Sequence, residues 1–167
     1  MSATVACSIH TKLKRMEQRI NAYTIGNKAV NALHGLGQHV TNSSLDPFLL
    51  ELLYFRVSQI NGCAFCLDVH SKNLRANGET EQRLYVVNAW REAPFYSDKE
   101  RSALAWAEAL TKIDGLIPDE IYGEAKKYFS ETELVDLTMA IIAINGYNRI
   151  NMAFGSDVGS YQVKSNN

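Results

Sequence analysis

Apolar residues recur along this chain at intervals of three and four and almost nowhere alternate, so the pattern predicts helices throughout. From Ile20, the set Ile20, Tyr23, Ala29, Val30, Leu33, Leu36 and Val40 predicts a first helix, followed by the polar loop Thr41-Asn42-Ser43-Ser44. Asp46-Pro47 reads as a helix start, because Asp can cap free N–H groups and Pro suits the first turn. The helix it opens runs through Phe48, Leu49, Leu52, Leu53, Phe55, Val57 and Ile60, apolar on nearly every side and therefore expected to be deeply buried. Asn61-Gly62 is a turn signal. A third helix follows it to Asn77, with Gly78 as its stop. Thr80 is placed to cap a helix carrying Leu84, Tyr85, Val87 and Trp90 and ending before Pro94. Ser97-Asp98-Lys99-Glu100 and Ser130-Glu131-Thr132-Glu133 are capping boxes. The first opens a helix with Leu104, Trp106, Ala107 and Leu110. The second opens a long one through Leu134, Leu137, Ile141, Ile144 and Ile150, and Pro118 to Phe129 predicts a short amphipathic helix between them.

The fold expected is all-α, a bundle of about six to seven helices forming a single domain over residues 1–167 with its core at about 20–155. A weak internal echo, Ile60-Asn61-Gly62-Cys63 against Ile144-Asn145-Gly146-Tyr147, raises the possibility of a duplicated helical unit. Its second copy would carry Tyr147, Ile150 and Phe154 in place of Cys63, Cys66 and His70. Asn148 and Arg149 interrupt the apolar last helix, either facing a pocket or standing as a capped or solvated pair. His34 and His39 on the first helix read as ordinary surface histidines.

Charge narrows the function. The chain has 167 residues, a net charge of −1 and a pI near 6.4, with no basic stripe, so nucleic acid is not an expected partner. The longest apolar runs, such as Leu137 to Ile144, are too short to span a bilayer, and Val5 to Ile9 is too short and polar for a secretory leader. A cytoplasmic protein without membrane attachment is expected. Three cysteines do not make a secreted disulfide framework. Cys7, in the N-terminal tail, reads as incidental.

The remaining two carry the chemistry. In Asn61-Gly62-Cys63-Ala64-Phe65-Cys66-Leu67-Asp68-Val69-His70, positions 63, 66 and 70 share one helix face. Cys63 should lie in the first turn, where free N–H groups and the dipole favour thiolate. Glu51 is out of place on an apolar helix and needs a partner. His70 lies roughly 10 Å past Cys63, and Glu51 roughly 13 Å back from Ile60 along the preceding helix. An antiparallel hairpin about Asn61-Gly62 therefore brings Glu51 beside His70, one turn from Cys66. A carboxylate orients an imidazole, the imidazole takes a thiol proton, and the second thiol closes a disulfide on the oxidised first. The blander readings are two core cysteines, a structural zinc pair, or Glu51 paired with Arg56 or facing a wet edge. Helix-end placement favours Cys63 as the attacking sulfur, whereas an imidazole four residues on, able to reach it directly, favours Cys66. General-base help of about 10²–10⁴-fold outweighs the dipole difference, which selects Cys66 as attacker and Cys63 as resolving thiol.

The spacing of Glu51, Cys63, Cys66 and His70, with the runs Val57 to Cys66 and Ala89 to Ser97, resembles the alkylhydroperoxidase D-like group of the carboxymuconolactone decarboxylase superfamily over roughly residues 20 to 155. The resemblance implies an all-α fold, trimers or hexamers, and thiol-dependent peroxide reduction with Glu51, Cys63, Cys66 and His70 as catalytic residues. On that reading the partners are a hydroperoxide and a lipoyl- or thioredoxin-type dithiol reductant, and no cofactor or metal is expected. Well-studied members carry a second histidine just before the second cysteine. Here that position is Phe65, which removes one member of the proton relay. Decarboxylating members lack the cysteine pair, so its presence argues against lactone decarboxylation. A general thiol–disulfide oxidoreductase and a non-enzymatic redox-sensing or zinc-holding oligomer are the alternatives.

Overall fold

The computed structural model describes residues 17–163, and Cys7 lies outside them. Among the described residues the chain is helical with no strand, as the periodicity predicts. Eight α-helices follow in order: α1 (Ala22–Ile25), α2 (Asn27–Thr41), α3 (Pro47–Asn61), α4 (Ala64–Ala76), α5 (Glu81–Val86), α6 (Asp98–Thr111), α7 (Asp119–Tyr128) and α8 (Glu131–Phe154). The 3-10 turn Val87–Ala89 extends α5.

The first predicted helix is in fact two. Gly26 ends α1 by donating its N–H to the Ala22 carbonyl, and a Cβ there would stand 3.0 Å from that oxygen. The chain restarts at once as α2. The helix opened by Thr80 also stops early, at Val86, and passes into a 3-10 turn before Trp90, whereas the other predicted helix starts hold because the caps form as their chemistry requires. Asp46 accepts from the Phe48 N–H, Thr80 from the Arg83 N–H, and both Ser97 and Ser130 complete reciprocal capping boxes with Glu100 and Glu133.

α3 is the central element. It packs against α4, α6 and α8, and α8 also packs against α2. Leu52, Leu53 and Val57 of α3 meet Leu74, Leu104, Leu137 and Ile141 in a core sealed from solvent. Burying each such side chain stabilises the fold by roughly 1.5–3 kcal/mol. The polar residues of α3 have specific partners. Arg56 is buried and donates from Nε to Glu108 Oε1 at 2.8 Å, so it pairs with Glu108 on α6 and not with Glu51. Trp90 Nε1 and Arg91 Nη1 donate to the same carboxylate at 3.0 and 2.7 Å.

Burial acts to raise the Glu108 pKa, but the hydrogen bonds from Arg91, Trp90 and Arg56 outweigh it and hold the carboxyl below its ordinary range. A depressed pKa adds stability above the unfolded value and loses it as pH falls through the folded one. Glu108→Gln should therefore cost about 1.5–3 kcal/mol at pH 7, the worth of hydrogen bonds to a charged group. The gap between the wild-type and mutant urea midpoints should narrow below about pH 4, where ordinary carboxylates protonate. A gap independent of pH would mean the Glu108 charge contributes nothing.

The α3–α4 hairpin carries the cysteines. Gly62 turns the chain at φ +74°, a left-handed conformation that suits glycine, and the Cys63 N–H returns to the Ser58 carbonyl at 3.1 Å. Asn61 Nδ2 donates to Asn145 Oδ1 and Asn148 Oδ1 at 2.9 and 2.8 Å, while Asn148 Nδ2 donates to Ser58 Oγ at 3.1 Å. These amides pin the turn to α8. Asn148 is thus a buried structural donor, whereas Arg149 is exposed and bonds within its own helix to Asn145.

The internal echo is not a second turn. Asn145 and Gly146 lie inside the unbroken α8, and Gly146 serves close packing, since a Cβ there would meet the Leu33 side chain at 3.2 Å.

Candidate active site

Cys63 is the N-cap of α4 and Cys66 lies in its first turn, the ordinary home of a stabilised thiolate. Their Cα atoms are 5.4 Å apart and the sulfurs are joined as a disulfide, a separation typical of such bridges. The Cys66 N–H points at Cys63 Sγ, 3.4 Å away. Both residues are buried, at 1% and 3% exposure, so any reactant must reach them through cavities.

Two cavities do so, one at each sulfur. One, of about 370 Å³, is lined by Cys66 and His70 together with the rings of Tyr23, Tyr54, Phe65 and Tyr147. The other, of about 340 Å³, is lined by Cys63 with Gly62, Ala64, Met152 and Val158. Phe65 and Asn151 line both and stand between them.

The hairpin brings Glu51 and His70 together as helix rise predicts. Glu51 Oε2 lies 2.8 Å from His70 Nδ1, with both side chains largely buried. That contact leaves Nε2 as the ring nitrogen free for the cavity. The direct imidazole–thiol contact expected from the four-residue spacing is not made. Among the described residues no hydrogen bond joins His70 to either sulfur of the disulfide; its Nδ1 is bound to Glu51 on α3, and His70 and Cys66 line the same cavity. Tyr54 packs its ring 5.2 Å from the imidazole, and burial, with the nearby Glu51 charge, raises its hydroxyl pKa well above the ordinary value.

Several residues at this site carry no signal in the periodicity. Asn73, one turn beyond His70, donates from Nδ2 to Glu51 Oε1 at 3.2 Å and accepts from the Tyr161 hydroxyl at 2.7 Å. The carboxylate thus has one oxygen on the imidazole and the other on an amide held by the C-terminal segment. Lys72 Nζ also binds the Tyr161 carbonyl, and the Asp68 carboxylate accepts from the Gly159 N–H, so this segment straps α4. On the Cys66 side, Asn151 Nδ2 approaches the sulfur at 3.4 Å. His34, read as a surface residue, is exposed but also lines the rim of the aromatic cavity, 2.9 Å from the Tyr147 hydroxyl. His39 pairs with Asp136 at 2.8 Å, away from the site. Asn-to-sulfur and Tyr-to-Asn contacts between residues more than 80 positions apart leave no local trace by which they could have been found.

A family model described as the carboxymuconolactone decarboxylase family matches residues 27–109, from α2 into α6, a stretch that includes the whole hairpin. YdfG of Bacillus subtilis, an uncharacterised protein, is 40% identical over 146 residues that cover 87% of this chain and 99% of YdfG. The chain belongs to the carboxymuconolactone decarboxylase family. Within it, the chain falls in the alkylhydroperoxidase D-like group. The crystal structure of an Agrobacterium tumefaciens protein of unknown function, offered as an antioxidant defence protein AhpD, superposes with a TM-score of 0.81. It is 38% identical, and the match covers 89% of this chain and all of that one. A peroxidase-related protein from Silicibacter sp. TM1040 shares the fold at a TM-score of 0.72 and 22% identity, over 83% of this chain and 74% of its own. No helix among the described residues of this family member is long and apolar enough to cross a membrane.

Proposed function

We propose that this protein is a thiol-dependent peroxidase in which Glu51, His70, Cys66 and Cys63 form one reaction path. The observation that carries the reading is the Glu51–His70 pair at the wall of a cavity whose floor is one sulfur of a C-x-x-C pair. Glu51 fixes the ring with Nδ1 bound, and Nε2 takes the Cys66 proton through a water or the bound hydroperoxide. The thiolate attacks the terminal oxygen of a hydroperoxide. The O–O bond breaks, the alkoxide leaves and takes that proton as an alcohol, and Cys66 becomes a sulfenic acid. The Cys63 thiol attacks the sulfenic sulfur, forming the disulfide and releasing water. A dithiol reductant of lipoyl or thioredoxin type then exchanges with the disulfide, returning both cysteines to thiols and leaving oxidised itself. The group membership and the named relationship of the Agrobacterium neighbour to antioxidant defence support peroxide reduction over lactone decarboxylation.

A general thiol–disulfide oxidoreductase would use the same exchange step and is favoured by one feature, the separate cavity that opens onto Cys63. A zinc-holding role has less support, since a structural zinc site needs four ligands and no group of three or more His, Cys, Asp or Glu side chains gathers suitably among the described residues. The deciding assay follows consumption of hydrogen peroxide and an alkyl hydroperoxide with dihydrolipoamide or reduced thioredoxin as the electron source. A Cys63→Ser/Cys66→Ser double variant is the control. Turnover in the wild type that the double variant lacks is expected. Reduction of disulfides with no peroxide turnover would favour the oxidoreductase.

Assembly into trimers or hexamers belongs to the same reading. Val135 and Ile142, seven residues apart on α8, expose 57% and 49% of their surface, an apolar edge that a partner copy would cover. Light scattering should give a trimer or hexamer mass, and a monomer at micromolar concentration would refute this part.

A further inference from the structure

A buried Cys66 thiolate has the α4 N-terminus to stabilise it, a weak effect that fades within a turn. Cys66 is 3% exposed, and the residues lining its cavity include no Lys or Arg. The residue before it, Phe65, has no side-chain donor. The titratable groups that face it are Cys63 and His70 on its own helix, Tyr54 on α3, Tyr23 on α1, His34 on α2 and Tyr147 on α8, with Glu51 behind His70. After proton transfer His70 is a cation, but it is engaged with Glu51 and makes no bond to the sulfur.

One side chain does. Asn151, on α8 and 5% exposed, directs its Nδ2 at Cys66 Sγ from 3.4 Å. Its orientation is set from the other end. Oδ1 accepts from the Tyr23 hydroxyl at 3.0 Å and from Ser156 Oγ at 2.7 Å. Two hydroxyl donors on the carbonyl oxygen leave the amide N–H₂ as the group turned to the sulfur. Flipping the amide would set an acceptor oxygen against a thiolate.

We propose that Asn151 is a catalytic residue of the path set out above, its amide N–H donating to the Cys66 sulfur whenever that sulfur carries charge. The proposal rests on the assignment of Cys66 as the reacting thiol. It gives the residue two moments of action. Before peroxide attack, a donor aimed at the sulfur favours thiolate over thiol, adding to the α4 N-terminus. During reduction, a reductant thiolate attacks Cys63 Sγ, the Cys63–Cys66 bond breaks, and the bonding pair leaves on Cys66 Sγ. A better-stabilised leaving thiolate departs faster. The same N–H serves both steps because the sulfur that attacks peroxide is the sulfur that later leaves. Tyr23 and Ser156 act as positioning residues through Asn151, which ties α1 and the C-terminal segment to the redox centre.

The test is the pH dependence of alkylation of reduced protein by iodoacetamide, read at the Cys66-containing peptide by mass spectrometry in a Cys63→Ser background. Asn151→Leu should raise the midpoint by about one pH unit, roughly a tenfold loss of thiolate below it. Asn151→Asp should raise it further by placing a carboxylate on the sulfur, and Tyr23→Phe should raise it less. An unmoved midpoint in a folded Asn151→Leu variant would overturn the proposal. If that variant does not fold, unmoved midpoints in both Tyr23→Phe and Ser156→Ala would overturn it instead. Alkylation uses no peroxide, so the two readings fail separately. A wild type that turns over no peroxide refutes the peroxidase assignment whatever the midpoints do, and an unmoved midpoint beside normal turnover refutes the role of Asn151 alone.

Discussion

Cys66→Ser should consume almost no hydroperoxide, whereas reduced Cys63→Ser should consume about one equivalent per subunit and stop, leaving a sulfenic acid at Cys66. The asymmetry follows from placement. Cys66 lines the cavity that also holds His70, while Cys63 lines only the second cavity. Cys63 keeps the N-cap position, where serine substitutes well because its hydroxyl can accept from the first-turn N–H groups, so Cys63→Ser should leave α4 intact. Dimedone trapping with peptide mass analysis reads the outcome. Helix-end placement favours Cys63, which is nearer the dipole, but that effect is worth only about 0.3–1 kcal/mol and fades within a turn. A sulfenate trapped at Cys63 in the Cys66→Ser protein would reverse the roles.

His70→Gln should slow Cys66 oxidation by about 10²–10⁴-fold at neutral pH, the usual worth of a positioned general base. Glu51→Gln should fall between it and the wild type. A glutamine can still hold the imidazole, but its neutral amide does not stabilise the imidazolium that forms on proton transfer. Glu51 accepts from Asn73 on its second oxygen, a contact that a glutamine loses when its one acceptor oxygen holds the imidazole, but the isosteric substitution should leave the fold in place. Stopped-flow oxidation of reduced protein, with far-UV circular dichroism as the folding control, checks both. Equal rates in wild type and His70→Gln would remove the imidazole from the reaction and leave Glu51–His70 as a structural pair.

The helices were legible because their ends are written in local chemistry. Asp46, Thr80, Ser97 and Ser130 are side chains that satisfy N–H groups within three residues, and each does so where it is expected to. The Glu51–His70 contact was legible for a related reason, since two helices joined by a glycine turn have their facing residues set by rise per residue alone. The split at Gly26 was hidden because α1 and α2 together keep the apolar spacing of one helix. The two Asn-Gly pairs of the internal echo differ because Asn-Gly ends a helix only when the glycine takes a left-handed conformation, as Gly62 does, whereas Gly146 stays helical where α8 packs on Leu33 of α2. The second tier of the site, Asn73 with Tyr161 and Asn151 with Tyr23 and Ser156, depends on which elements meet in space. An asparagine at helical spacing looks the same whether it faces solvent or a sulfur. Spacing gives the face of a residue and not the partner its ring will choose, and with Cys66 in its disulfide the His70 ring bonds to Glu51 and not to the sulfur.

What the cysteine pair does when peroxide is the only oxidant present decides most directly whether this protein is a peroxidase. Reduced protein, freed of small thiols and mixed with excess cumene hydroperoxide, should lose about one equivalent of peroxide and about two titratable thiols per subunit, and digestion should yield the Cys63–Cys66 disulfide as the product. Peroxide left unconsumed with Cys63 and Cys66 still titratable as thiols would contradict that assignment.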